Sequence, residues 1–210
     1  MTITALEKQK KHLVKIFFDN GEECLLDKDV CIDASLASGL ELDEEKLDGL
    51  KYESDYRRAK SRALWYLDRG DYTEKAMYLK LLRAGFEKRA CAAAIAKLTE
   101  YGIIDDHRFA ERFCERLIES NISKREAFHK MLEKGVPYDM AKETLDSADA
   151  DEEAQLAALI EKKYESKLTQ PHGIEKVYAA LVRKGFSYSA VRNALKKYSE
   201  ELEYSEEYDV

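Results

Sequence analysis

The chain of 210 residues has few chain breakers and little reactive chemistry: two prolines, nine glycines, four cysteines and one tryptophan. Pro137 and Pro171 sit beside loop-like positions rather than inside an apolar periodic run, so long helices can form. Cys24, Cys31, Cys91 and Cys114 show no C-x-x-C spacing, which favours reduced, structural thiols over a disulfide framework or a zinc site. The longest uncharged apolar run, Ala90 to Ala96, is far short of the roughly 20 residues that span a bilayer. The polar opening Met1 to Lys11 lacks a signal-peptide core, so a cytoplasmic protein with no membrane partner is expected. His12, His107, His129 and His172 lie in separate elements, and no H-E-x-x-H, phosphate-cradling G-x-x-x-x-G-K or G-x-S-x-G stretch occurs. Asp105, Asp106 and His107 are adjacent, but neighbouring helix residues do not converge on one ligand, so a helix cap is the better reading. No catalytic residue, metal or cofactor is expected.

What is present is a mixture of 45% apolar and 37% charged residues, enough to bury a core and solvate a large surface. The start reads as β: His12 to Phe18 and Glu22 to Leu26 flank Asp19-Asn20-Gly21, a hairpin turn sequence, and a third short strand is expected around Val30 and Ile32. From Asp43 the pattern turns helical and runs through Leu67 as one long helix.

The most informative feature is a 50-residue period, carried by Gly85, Gly135 and Gly185. Each glycine has an apolar residue four positions before it (Leu81, Met131, Leu181) and another directly after it (Phe86, Val136, Phe186). That is the signature of a helix ending on a left-handed glycine, with the next residue folded back on the last turn. The register returns at Ile95, Leu145 and Leu195, and further helices are expected at roughly 56–68, 106–119 and 152–166. Asp105 or Asp106 is placed to cap the second of these, and Ser123 with Glu126 has capping-box spacing. The expected fold is mainly α: an elongated array of three tandem three-helix repeats with a small amino-terminal β-hairpin extension. The divisions are 1–52 (extension), 53–104, 105–150 and 151–199 (repeats), and 200–210 (acidic tail).

The net charge of −7 conceals segments of opposite sign: −7 over residues 1–55, +6 over 56–100, −3 over 101–150, +3 over 151–199, then six acids and no base in the tail. Candidate phosphate-contacting donors in the first repeat are Arg57, Arg58, Arg62, Arg69, Lys75, Lys80 and Arg83. In the third they are Lys176, Arg183, Lys184, Arg192 and Lys196. A plain solvated helix surface is the competing reading for each. Tyrosines and phenylalanines near the repeat anchors are read mostly as core.

Residues from about 60 to 198 resemble the RecX family of bacterial regulatory proteins. The resemblance rests on Ala63-Leu-Trp-Tyr-Leu67 with Arg69, on Lys134-Gly135-Val136, on Arg183-Lys-Gly-Phe186 and above all on Gly102-Ile-Ile-Asp-Asp-His-Arg-Phe-Ala110. Asp105, Asp106, Arg108 and Phe109 fall on the family's central signature, and the hairpin extension resembles that of longer members from Gram-positive bacteria. Thr73 stands where many members open a helix with serine. The resemblance implies a monomeric protein without cofactor that binds the RecA recombinase filament on single- or double-stranded DNA and modulates, chiefly by inhibition, its recombinase and ATPase activity in recombination, DNA repair and the SOS response. Two alternatives stay open: a helical DNA-binding module that acts without RecA, and a helical-repeat scaffold for other proteins.

Overall fold

A computed structural model describes the backbone of residues 1–207 and the side chains of residues 1–198. The chain divides into two compact units, Met1–Asp105 and Asp106–Val210. The first opens with a three-stranded antiparallel sheet, β1 (Ile3–Gln9), β2 (Leu13–Phe18) and β3 (Glu23–Asp27), in the order β1-β2-β3. The expected hairpin is β2 and β3, pairing Phe17 with Glu23 and Leu13 with Asp27. Gly21 takes φ +84° in its turn, and the Asn20 side chain accepts the Glu22 amide at 3.0 Å. Along β2, Val14, Ile16 and Phe18 are buried, the alternation that a one-sided sheet requires.

The third strand is not where the sequence suggested. Val30 and Ile32 lie in a short helix, α1 (Lys28–Asp33), whose first turn is capped by Asp27 accepting the Asp29 amide. Val30 and its neighbour Cys31 are both buried while Ile32 is exposed, a helical pattern rather than an alternating one. The extra strand is β1, which pairs with β2 at the chain's start. Only Ile3 in it is buried, so it left no apolar signal.

Helix α2 (Glu44–Leu67) starts on Asp43, whose side chain accepts the Lys46 amide at 2.7 Å, and it runs unbroken through residue 52. Its early Leu47 joins the sheet core with Ile3, Ile16, Phe18 and Leu26. Its later Ala59 and Ala63 join a second core with Met77, Leu81, Ala94 and Leu98. That core is completed by α3 (Glu74–Arg83) and α4 (Lys88–Glu100). The small residues on the facing sides of α2 and α4 let the two helices approach closely. Between the cores, buried Ser54 accepts the Asp27 amide at 2.7 Å and ties α2 to the end of β3.

The second unit holds α5 (Asp106–Glu119), α6 (Lys124–Glu133) and α7 (Tyr138–Ser147) around Phe109, Cys114, Met131 and Leu145. Then come α8 (Glu152–Lys163), α9 (Glu165–Leu168), α10 (Gly173–Arg183) and α11 (Tyr188–Glu207) around Leu156, Ile160, Leu181 and Val191. The single helix expected at 152–166 is broken at Tyr164. Helix α11 passes the expected tail boundary at 200 and reaches Glu207; the tail's side chains and its last three residues lie outside the described residues.

The repeat is visible position by position. Gly85, Gly135 and Gly185 have φ of +89°, +91° and +91°. The amides of Phe86, Val136 and Phe186 donate to the carbonyls of Leu81, Met131 and Leu181 at 3.3, 3.1 and 3.4 Å. The glycine amides donate to Leu82, Leu132 and Val182, completing the double-bonded ending. Met77, Ala127 and Val177 are buried at one register position, and Ile95, Leu145 and Leu195 at another. Thr73 and Ser123 cap α3 and α6, accepting the amides of Ala76 and Glu126 at 3.1 and 3.2 Å. The capping box at Ser123 has one arm only, because Glu126 instead pairs with Lys130 at 3.4 Å. The third equivalent is Gly173, where a Cβ would collide with the carbonyls of Lys167 and Leu168, so a side-chain cap has no room.

Within the second unit the two triplets are joined by polar contacts. Ser123 donates its hydroxyl to the Lys184 carbonyl, and buried Gln155 donates its amide to the Ile118 carbonyl at 3.0 Å. This makes Gly185 differ from Gly85. A Cβ at 185 would lie 2.9 Å from both Ser123 Oγ and Arg125 Cβ, whereas one at 85 would meet nothing within 4 Å. Gly85→Ala should therefore cost only the left-handed backbone strain, about 1–2 kcal/mol. Gly185→Ala should cost at least about 1 kcal/mol more, from overpacking. Urea denaturation of both variants checks this; equal losses would contradict the close approach at Gly185.

Candidate nucleic-acid interface

The exposed side of α2 carries the densest cationic and aromatic cluster among the described residues. With Ala59 and Ala63 turned to the core, helical periodicity sends Arg58, Arg62, Trp65 and Arg69 outward along one stripe. Trp65 stays 46% exposed. The Arg69 guanidinium lies 3.9 Å from the indole centroid and donates to the Trp65 carbonyl at 2.7 Å. Arg62 sits 5.4 Å from the same ring and 5.9 Å from Tyr66. Tyr66 meets Trp65 edge-on at 5.2 Å, and Lys80 reaches across from α3 to 4.4 Å from Tyr66 and 4.6 Å from Tyr72. Lys80 also donates to the Tyr72 hydroxyl at 2.9 Å, which fixes it over the rings.

The stripe forms one wall of an open groove of about 750 Å³. Tyr56, Arg57, Arg58, Lys60, Arg62 and Trp65 line it from α2, Phe86 from the helix ending, and Lys11, His12, Asp27 and Asp29 from the sheet side. Arg58 packs 5.5 Å from the Phe86 ring and binds Asp55 at 3.2 Å. Asp55 also accepts the Glu87 amide at 3.3 Å, and Glu87 caps α4 by accepting the Ala90 amide at 2.9 Å.

The predicted cations divide into two kinds. Arg57 is spent inside the protein: it holds Asp33 and Glu53 at 2.7 Å each, and those bonds push its ionisation higher still. Arg62, Lys75, Lys80 and Arg83 have no carboxylate partner within ion-pair distance among the described residues, so their charge is available to a ligand. Arg69 shares Asp68 at 3.3 Å. Lys75 and Arg83 are exposed on α3 outside the groove. In the second unit, Lys176 donates to the Pro171 carbonyl at 3.1 Å and Arg183 to the Ala179 carbonyl at 3.3 Å. Arg192 and Lys196 are exposed, and Lys184 is half-buried where its carbonyl receives Ser123. Of the central signature, Asp105 immediately precedes α5, which begins at Asp106; Arg108 is exposed and Phe109 is core, 5.6 Å from Phe113.

Sequence reasoning used Trp65 only as part of the family motif; Tyr66 and Tyr72 pack against the second core, as expected of most tyrosines, and also meet Lys80. The pattern that marks Trp65 and Tyr66 is Arg-x-x-Trp-Tyr-x-x-Arg, which puts guanidinium groups one turn either side of the rings. Lys11 and His12 left no comparable signal, because only the folded sheet carries them to the groove.

A second groove, of about 610 Å³, lies within the second unit between α5 and α7 and has the opposite sign, with Glu111, Glu115, Glu119, Glu143 and Asp149 around Ile118. One set of described side chains comes close enough to hold a cation: His12, Asp27 and Asp29, whose nearest ligand atoms lie within 4.8 Å of one another. Local structure accounts for it, since His12 pairs with Asp29 at 3.1 Å and Asp27 caps α1. Burial raises the thiols of Cys24, Cys91 and Cys114 and pushes Cys31 up to about 11, which favours the protonated form. No described helix is long and apolar enough to cross a membrane.

These features define a protein of tandem three-helix domains behind a small sheet, with separate basic and acidic grooves. Residues 59–98 match the family description of the first three-helix domain of RecX, and residues 151–195 that of the third. The Regulatory protein RecX of Clostridium tetani strain Massachusetts / E88 is 29% identical over 202 residues, covering 93% of each chain. That of Streptococcus pneumoniae serotype 19F strain G54 is 30% identical over 196 residues, 92% of this chain and 76% of its own. A crystal structure of regulatory protein RecX superposes with a TM-score of 0.67 at 25% identity, covering 93% of this chain and 98% of that one. RecX from Lactobacillus salivarius shares the fold over 69% of this chain, at a TM-score of 0.61 and 21% identity. The chain belongs to the RecX family of regulatory proteins.

The cap of α4 carries a pH signature. Glu87 is held below its ordinary value of 4.5 because its carboxylate accepts the amides of Arg89 and Ala90. A depressed carboxylate adds stability above its unfolded value and loses it as pH falls through the folded one. Glu87→Gln should therefore melt below the wild type at pH 7, and the gap should close as pH falls through the carboxylate range and Glu87 is protonated. A gap that persists in acid would contradict the cap's charge dependence.

Proposed function

We propose that this protein binds the RecA–DNA filament in the cytoplasm and restrains its recombinase and ATPase activity by occupancy, as a monomer without cofactor or covalent chemistry. Family membership supports the regulatory role. The observation that carries the nucleic-acid part is the α2 stripe, where Arg62 and Arg69 flank a half-exposed indole and Lys80 of α3 lies over the neighbouring Tyr66. The extension (1–52) and the three triplets (53–104, 105–150, 151–199) are the working parts. The basic first triplet faces filament DNA together with the third triplet's Lys176, Arg183, Arg192 and Lys196, and the acidic groove of the second unit meets basic protein surface. Many weak contacts on one body favour an assembled polymer over a single subunit, because each contact raises the local concentration of the next. Complementary charge fixes orientation more than it adds affinity.

A second reading, DNA binding without RecA, is favoured by the same stripe, which needs no protein partner to attract phosphates. Binding to bare DNA at moderate salt would support it, and binding seen only with filament present would remove it as the main activity.

Replacing Arg58, Arg62, Lys80 and Arg83 together by Glu should weaken inhibition of RecA strand exchange by about tenfold or more and flatten the salt dependence of filament binding. Far-ultraviolet dichroism should stay helical. Arg57→Gln should lower stability and leave inhibition near wild type, because that guanidinium serves Asp33 and Glu53. Undiminished inhibition by the fourfold variant would refute the assignment of this face.

A further inference from the structure

We infer that Trp65 and its guanidinium frame form a stacking site for one unstacked base of a single DNA strand, with phosphates carried along the groove beside it. The inference rests on the nucleic-acid reading above and specifies the form of ligand that the surface takes. The indole is 46% exposed, and what sets it apart is the set of side chains that hold its orientation. Arg69 at 3.9 Å supports it, Tyr66 packs against it edge-on at 5.2 Å, and Arg62 stands one turn away at 5.4 Å. The ring is therefore oriented and half-exposed, and a base stacking on it would take the place of Arg62, the more distant of its two guanidinium groups. Lys60 and Arg62 line the groove on the indole's own side and Lys11 the opposite wall, so a strand with a base on Trp65 would find donors at successive phosphates. Duplex DNA keeps its bases stacked on each other and presents only phosphates to such a surface. The chemistry thus selects single strands over duplex of equal charge, while Lys11 from the sheet extension adds a phosphate contact.

The protein's only tryptophan reports on the site directly. Titrating the full chain with a short oligothymidylate should quench tryptophan emission in step with binding followed by oligonucleotide anisotropy. The duplex of the same length should bind with little quenching. Trp65→Ala should weaken oligothymidylate binding by about tenfold, while Trp65→Phe retains most of it. Lys11→Gln should lower the salt slope by about one and leave quenching in place. Oligonucleotide binding with unchanged emission and an unaffected Trp65→Ala variant would overturn the stacking site while leaving the RecA reading standing. Equal quenching by duplex, or no oligothymidylate binding at low salt, would overturn it too. Quenching and Trp65→Ala loss in a protein that does not alter strand exchange would support the stacking site and refute the RecA reading.

Discussion

The left-handed glycine that ends the middle helix of each triplet is the constraint on which the rest depends. A helix that stops there must reverse, and the double hydrogen bond plus the apolar residue after the glycine fixes how. Phe86, Val136 and Phe186 are each pinned back onto the preceding turn, so the next helix starts on the same side of its core. Where the ending stands clear, as at Gly85, only backbone conformation is at stake. At Gly185 the ending lies against the first turn of α6, and Ser123 serves both as helix cap and as donor to the next triplet. One hydroxyl thus connects local helix chemistry with domain packing.

Legibility followed the distance over which each signal acts. The glycine device, the Asp43 start of α2 and the Asp19-Asn20-Gly21 turn are written within a few residues, and all three stand in the structure. Strand β1 escaped notice because an edge strand with one buried residue has no periodicity to read, and its partner lies across a turn. The break at Tyr164 and the glycine at 173 belong together: the chain passes so close to the carbonyls of Lys167 and Leu168 that only glycine fits, a constraint invisible until the segments are placed. The basic character of residues 56–100 was plain from counting. Which cations remain unspent was not, since Arg57 and Arg62 look alike in sequence and differ only in what folds beside them.

Charge is segregated on more than one scale. The basic groove borders α2 in the first unit, and the acidic groove lies between α5 and α7 in the second. A chain whose total is modestly negative thereby presents two local fields of opposite sign. Specific recognition of a mixed protein and nucleic-acid surface calls for that arrangement, whereas general polyanion binding does not.

The single helix shared by the sheet and the first triplet has a mechanical meaning. Its front half closes one hydrophobic core and its rear half another, with buried Ser54 bonded to the last residue of the sheet between them. Fraying the sheet would strip apolar cover from the front of the rod that also bears the tryptophan, so the two cores should melt as one cooperative block. A load applied to the extension would pass along that rod without a hinge to absorb it.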